Sequence, residues 1–247
     1  MRAEHSAIAL VFAGGIGTRM QAERPKQFLD VMGKPVLVHT LDHFQAHEAI
    51  GAIYLAGPEG HIGECEELAE RFGVTKLRGI TTGGASAQET IIKLMELALA
   101  DGVPPDTVAL IHDGVRPAIT ADLITQNVAA TREHGSAITA IPCFETIASS
   151  VDGAETVDAV TDRSQMYVLQ APQSFRLGEA HAVNTQSVRD GLVGTFVDQA
   201  QLMKHYGKPL TMIRGFRGNV KLTTYIDFLQ FRLLMESGEY EDLIGRE

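Results

Sequence analysis

Short runs of consecutive apolar residues alternate along this chain with longer stretches whose apolar positions recur every three or four residues. Unbroken apolar runs mark strands buried on both faces, and the wider spacing marks amphipathic helices. Ala7 to Phe12 predicts the first strand. Val36 to Ala46 predicts a helix with Leu37, Val38, Leu41 and Phe44 at helical spacing. Ile50 to Ala56 reads as a strand, His61 to Phe72 as a helix, and Leu77 to Thr81 as a third strand ending at Gly83-Gly84. Ala87 to Ala100 is a strong helix carrying Ile91, Ile92, Leu94, Met95, Leu97 and Leu99. Thr107 to Ile111 reads as a strand ending at His112-Asp113, followed by a helix over Ala121 to His134 and a strand over Ser136 to Ile141. Strands alternating with helices predict an α/β fold with a doubly wound, mostly parallel sheet.

The rhythm changes after Cys143. Thr146 to Ser150 and Thr156 to Val160 predict short strands around the turn Asp152-Gly153, and Met166 to Leu169 adds another extended run. A β-rich excursion inside an α/β fold is a candidate arm or dimerisation element. Regular order then returns with helices over Gly178 to Arg189 and Asp198 to Tyr206, a strand over Leu210 to Arg214, and a helix over Thr224 to Met235. No repeat or Pro/Ser-rich linker divides the chain, so the expectation is one domain over 1–247 with a β-arm at about 143–170.

Charge narrows the partners. A net charge of −10 argues against DNA or RNA, which require a broad basic face, but not against a nucleotide, which requires only a local cluster of cations. No apolar run approaches a membrane span, and the N-terminal run ends in glycines without the pattern of a signal peptide. Cys65 and Cys143 lack metal-ligand spacing and read as free thiols of a cytoplasmic protein.

Candidate chemistry gathers at predicted strand ends, where doubly wound sheets bind ligands. The first strand runs into Ala13-Gly14-Gly15-Ile16-Gly17-Thr18-Arg19, with Lys26 following. Successive N–H groups of a glycine turn form an anion-binding concavity, and Arg19 and Lys26 supply the charge that backbone dipoles lack. The loop has neither the Gly-Lys-Ser/Thr of a Walker loop nor the third glycine of a dinucleotide fingerprint. Asp113, ending an apolar strand, suits a magnesium ion bridging phosphates, or alternatively caps a helix or pairs with Arg116. His39, His43 and His47 recur at i, i+4 spacing and read as the solvated side of a helix. No Gly-x-Ser-x-Gly elbow supports a serine hydrolase.

Taken together, these segments resemble the cytidylyltransferases that activate methylerythritol phosphate or ribitol phosphate with CTP. The likeness runs through Ala13 to Met20, Pro25-Lys26-Gln27-Phe28, Gly83-Gly84 with Thr90, and His112-Asp113-x-x-Arg116-Pro117. It continues through Asp162-Arg163, Pro172-Gln173-Ser174-Phe175 and Asn219 to Thr224. The resemblance implies a Rossmann-like nucleotidyltransferase fold. Ala13, Gly14, Gly15, Gly17 and Thr18 would wrap the triphosphate, and Arg19 and Lys26 would stabilise charge on the α-phosphate and the leaving pyrophosphate. Gly83, Gly84 and Thr90 would recognise cytosine. Asp113 would orient the sugar and hold Mg2+, or another divalent cation, through water. Thr146, Arg163 and Lys221 would bind the polyol phosphate acceptor, with Arg163 reaching the site of a homodimer partner on a swapped arm.

The chain departs from the family pattern at Ala87 (usually arginine), Ala171 (usually threonine), Gly218 (usually acidic or polar), and Val197-Asp198-Gln199-Ala200 (usually Thr-Asp-Asp/Glu-Ala). The donor loop and both lysine motifs are intact, so CTP use is expected and the acceptor is the open term. Ala13-Gly14-Gly15 with Pro25 to Phe28 tilts the expectation toward the ribitol phosphate branch. Transfer to another sugar phosphate, use of another base, and a non-catalytic nucleotide-binding paralogue are the alternatives.

Overall fold

A computed structural model describes residues 7–15, 24–151, 153 and 155–240. The chain forms β1 (Ala7–Phe12), a tight helical turn at Lys26–Phe28, β2 (Asp30–Val31), β3 (Lys34–Pro35), α1 (Val36–Ala46), β4 (Ile50–Gly57) and α2 (Ile62–Arg71). Next come β5 (Leu77–Thr82), α3 (Ala87–Ala100), β6 (Val108–Asp113), α4 (Ala121–His134) and β7 (Ser136–Pro142). After β8 (Ile147–Ser149) and β9 (Ala159–Thr161) the chain continues through β10 (Tyr167–Arg176), α5 (Leu177–Arg189), α6 (Gln199–His205), β11 (Met212–Arg214) and α7 (Tyr225–Glu236).

The main sheet has seven strands in the order β11-β7-β10-β6-β1-β4-β5. Its pairings are parallel except at β10, which runs antiparallel to β6 and β7. Alternation along β1 divides the core. Ala7, Ala9 and Val11 face one cluster with Leu41, Phe44, Leu68, Ile124 and Phe231, while Ile8 and Leu10 face another with Leu94, Met95, Val183 and Leu202. Helices α1, α2, α4 and α7 therefore cover one face, and α3, α5 and α6 the other. That is the doubly wound architecture expected. Helix starts follow local chemistry: Ser86, Thr120, Asp198 and Thr224 each accept a hydrogen bond from a first-turn N–H.

Three findings correct the sequence reading. Of the expected run Met166 to Leu169, Tyr167 to Leu169 is the entrance to a ten-residue strand, of which Gln170 to Phe175 is buried between β6 and β7. Its ladder with β7 breaks between Leu169 and Gln173. The hairpin β2–β3 was not expected. In the arm, β8 and β9 pair with each other as a separate two-stranded sheet between β7 and β10, and β9 begins at Ala159, later than expected.

Candidate active site

The switch in strand order falls at β1, with β4 on one side and β6 on the other. Phe12 is level with Ala56 and with Asp113, so three strands end on one rim. Beyond Phe12 the chain enters Ala13-Gly14-Gly15. The N–H of Ala13 donates to Ala56 O at 2.8 Å. Gln27, buried in the Lys26–Phe28 turn, donates to the carbonyls of Ala13 at 2.7 Å and Gly15 at 3.1 Å. Carbonyl oxygens aimed at a phosphate would repel it, and Gln27 occupies these two. Gly17, Thr18 and Arg19 lie outside the described residues.

The loop after β5 meets the first loop backbone to backbone. A Cβ on Gly14 would sit 2.8 Å from Gly83 Cα, and one on Gly83 would sit 2.9 Å from Gly14 Cα. Only glycine allows this approach. Gly84 N–H donates to Thr90 Oγ1 at 2.9 Å, and Thr90 donates onward to Ser86 O at 2.9 Å. Lys93 donates to Gly83 O at 3.0 Å. Gly84 and Thr90 line the cleft, whereas Gly83 packs against Gly14 and is not part of the lining. The N-terminus of α3, at Ser86 and Ala87, opens into the same cleft, an orientation that favours anions.

Asp113 closes the rim from β6. It is 5% exposed and lies between two cations: Arg116 Nε at 3.2 Å from Oδ2 and Lys221 Nζ at 2.5 Å from Oδ1. Burial would raise its pKa, but Arg116 and Lys221 prevail and hold the carboxyl below the ordinary aspartate range. The pairing with Arg116, one of the alternatives open in the sequence, is thus present. Next to it, burial lowers the His112 imidazole to about 4. His112 Nε2 lies 3.0 Å from Arg116 O, which fixes the turn between them.

Lys221 sits 5.7 Å above the Phe12 ring. Lys26 donates to the carbonyl of Leu222, the next residue, at 2.8 Å. Both ammonium groups therefore belong to one wall of a cleft of about 340 Å3 that also contains Ala13, Gly14, Gly15, Gly84, Thr90 and Asp113. A second cavity of about 220 Å3 adjoins it and shares Phe12, Ala87, Asp113 and Lys221. Its remaining wall includes Ala171, Val197, Asp198 and Gln199. The departures at Ala87, Ala171 and Val197 to Gln199 thus gather around one space, and Gly218 lies away from it.

Thr146 and Arg163 are not brought to either cavity of their own chain. Both are exposed on the arm, and Arg163 donates to Phe144 O at 2.9 Å. His39 and His47 spend ring nitrogens on the carbonyls of Val31 and Ala121. Among the described residues no group of three or more His, Cys, Asp or Glu could hold a metal. Sequence reasoning missed the loop-fastening role of Gln27 and the place of Phe12 under Lys221. Gln27 stood inside a quoted motif, and its burial was the missing information.

The comparisons with known proteins decide the family. The model of the 2-C-methyl-D-erythritol 4-phosphate cytidylyltransferase (IspD) family matches residues 7–237. The chain belongs to this family. It is therefore a cytidylyltransferase, with the α/β fold of that group. A ribitol-5-phosphate cytidylyltransferase of Streptococcus agalactiae serotype III is 38% identical over 239 residues, spanning 96% of this chain and 99% of the relative. A 2-C-methyl-D-erythritol 4-phosphate cytidylyltransferase of Geotalea uraniireducens is 35% identical over 230 residues, spanning 93% and 96%. The crystal structure of 4-diphosphocytidyl-2C-methyl-D-erythritol synthase from Anaerococcus prevotii shares the fold at TM-score 0.78 and 22% identity, covering 94% of this chain and 96% of that one. No helix among the described residues is long and apolar enough to cross a membrane.

Proposed function

We propose that this cytidylyltransferase transfers CMP from CTP to D-ribitol 5-phosphate, releasing pyrophosphate and a CDP-alditol. The observation that carries the donor half is the meeting of Lys26, Lys221 and the Gly14-Gly15 and Gly84 loops in one cleft. The acceptor assignment is supported by relatives named for ribitol 5-phosphate at 38% identity, against 35% for the methylerythritol relative.

The chemistry follows from these residue types. An oxygen of the acceptor phosphate monoester is nucleophilic at neutral pH, so no general base is required. It forms a bond to the α-phosphorus of CTP while the bond from that phosphorus to the bridging oxygen breaks, and the electron pair leaves with pyrophosphate. Two anions must be held in line against their repulsion, which is work for fixed cations and N–H groups. Lys26 stabilises the triphosphate charge. Lys221, at the boundary of the two cavities, holds the incoming phosphate. Gly84 and Thr90 frame the cytosine, and Arg19 completes the triphosphate grip.

Asp113 as the single carboxylate among the described residues of the first cleft fits Mg2+ of the kind held mainly by substrate phosphates, with Asp113 reaching it through water. That ion would neutralise charge on the triphosphate. The arm supports a homodimer. Phe144, Ile147, Val157, Val160, Tyr167 and Val168 are large apolar side chains left exposed on it. In the proposed dimer Thr146 and Arg163, on the same arm, would serve the partner's acceptor cavity. One domain with this arm describes the chain, and the free Cys65 and Cys143 support a cytoplasmic setting.

A pyrophosphate-release assay with CTP, and with ribitol 5-phosphate and methylerythritol 4-phosphate in turn, tests this reading. Faster turnover with methylerythritol 4-phosphate would reverse the acceptor assignment. No turnover with any polyol phosphate would end it.

A further inference from the structure

Between β11 and α7 the chain has no helix or strand, yet Phe216, Asn219 and Leu222 in it are buried. A buried segment without its own ladder must have its polar backbone satisfied from outside. One side chain, Gln170 of β10, does much of this. It is 6% exposed, and its Nε2 donates to the carbonyls of Phe216 at 3.0 Å and Asn219 at 3.2 Å. Its Oε1 lies 2.3 Å from where a Cβ on Gly215 would stand, so the segment and the amide can approach only because residue 215 is glycine. The reverse contact is also made: Asn219 Nδ2 donates to Ala171 O at 2.7 Å.

The chain of contacts leads to the reacting groups. Asn219 O also accepts from Arg116 Nη1 at 2.5 Å, and Arg116 Nε reaches Asp113. Lys221 closes onto the other oxygen of Asp113. Gln170 stands at the start of the gap in the β7–β10 ladder, between Leu169 and Gln173, where pairing with β7 lapses. We infer that Gln170 is a positioning residue for Lys221. Its amide fixes the 215–221 segment at the depth where the Lys221 ammonium reaches both Asp113 and the boundary of the two cavities. This rests on the proposed role of Lys221 in the transfer.

The test uses steady-state kinetics with CTP and ribitol 5-phosphate on the full chain. Gln170→Met keeps the volume and removes the donor. It is expected to lower kcat about 10- to 100-fold, the range set by a misplacement of about an ångström, with the KM for CTP little changed. Lys221→Ala is expected to lower kcat as well, and the double variant to fall no further than Lys221→Ala alone. Gly215→Ala, which pushes on the same contact from the other side, is expected to give the same split between kcat and KM. It serves if Gln170→Met folds poorly by circular dichroism. Wild-type kcat in Gln170→Met and Gly215→Ala beside a slow Lys221→Ala would overturn the inference while leaving the proposed function standing. So would an equal loss from Gln170→Met with and without Lys221, which marks a residue acting independently of Lys221, through the fold or directly on the second cavity that Gln170 also lines. Wild-type turnover in Lys221→Ala would overturn both.

Discussion

Replacing Gly83 by alanine tests whether the cleft proposed to bind CTP depends on two loops touching. The added Cβ would lie 2.9 Å from Gly14 Cα, whereas ordinary contact begins near 3.4 Å, so the loops must separate by about 0.5 Å. The neighbour is backbone and cannot rotate away. Nor is either loop free to move. Ala13 N–H is bonded to Ala56, Gly83 N–H to Gly57 at 2.9 Å, Gln27 holds Ala13 and Gly15, and Thr90 holds Gly84. Overpacking of this kind costs about 1–3 kcal/mol. At about 2–4 °C per kcal/mol for a chain of this size, the melting temperature should fall by several degrees. Because the same displacement moves the loop proposed to wrap the triphosphate away from the loop proposed to frame the cytosine, CTP affinity should fall about tenfold, equivalent to about 1.4 kcal/mol. Calorimetric titration with CTP and thermal melting measure the two effects. Gly63→Ala, in α2 with nothing within 4 Å of the new Cβ, is the control and should leave CTP binding unchanged. A Gly83→Ala protein with wild-type CTP affinity and melting temperature would refute the argument.

Lys26→Ala should reduce turnover about 100- to 1,000-fold while shifting stability by about 1 kcal/mol, since it removes the charge stabilisation proposed for Lys26 together with its hydrogen bond to Leu222 O; pyrophosphate release and melting separate these effects. Val160→Asp, on the exposed arm, should shift the protein toward monomer in sedimentation experiments and lower activity with it; an unchanged oligomeric state would count against the arm as the dimer contact. Asp227→Ala should cost about 1 kcal/mol in denaturant unfolding, because Asp227 and Thr224 form a reciprocal capping box at the start of α7. Burial pushes the Asp227 pKa up, but donors from Thr223 and Thr224 outweigh it and hold the carboxyl low. Its stabilisation is therefore full above the ordinary aspartate pKa of 3.8 and is lost as pH falls through the lower folded value; the variant should lose less stability than wild type across that acid range.

Helices were the most legible part of the fold. α1, α3 and α4 begin and end where the sequence reading places them. The strand β10 was legible only at its exposed entrance. Its buried half contains Gln170, Gln173 and Ser174 together with Pro172, and polar residues around a proline imitate a loop. What makes that run a strand is tertiary: Gln173 bonds to Asp198 and Ala200 of the neighbouring helix start, and Ser174 to Asn127 of α4. Among the residues lining the cleft, Gly14, Gly15, Gly84, Lys26 and Lys221 were legible as candidates because glycine turns at strand ends and lysines near them have few other roles. Gln27 and Asn219 were not. Buried amides that tie loops together are recognisable only once the loops they tie are known.

The antiparallel β10 also dictates an order of assembly. β6 and β7 do not pair with each other; each awaits the strand that separates them. During synthesis the whole arm must emerge before that strand exists. Until then the two strands flanking the gap carry unpaired edges, the kind that recruit foreign strands. A chain stopped before Tyr167 would therefore be aggregation-prone as well as inactive. The late, sequence-distant closure should make the sheet's completion slow, in keeping with the general cost of non-local pairing.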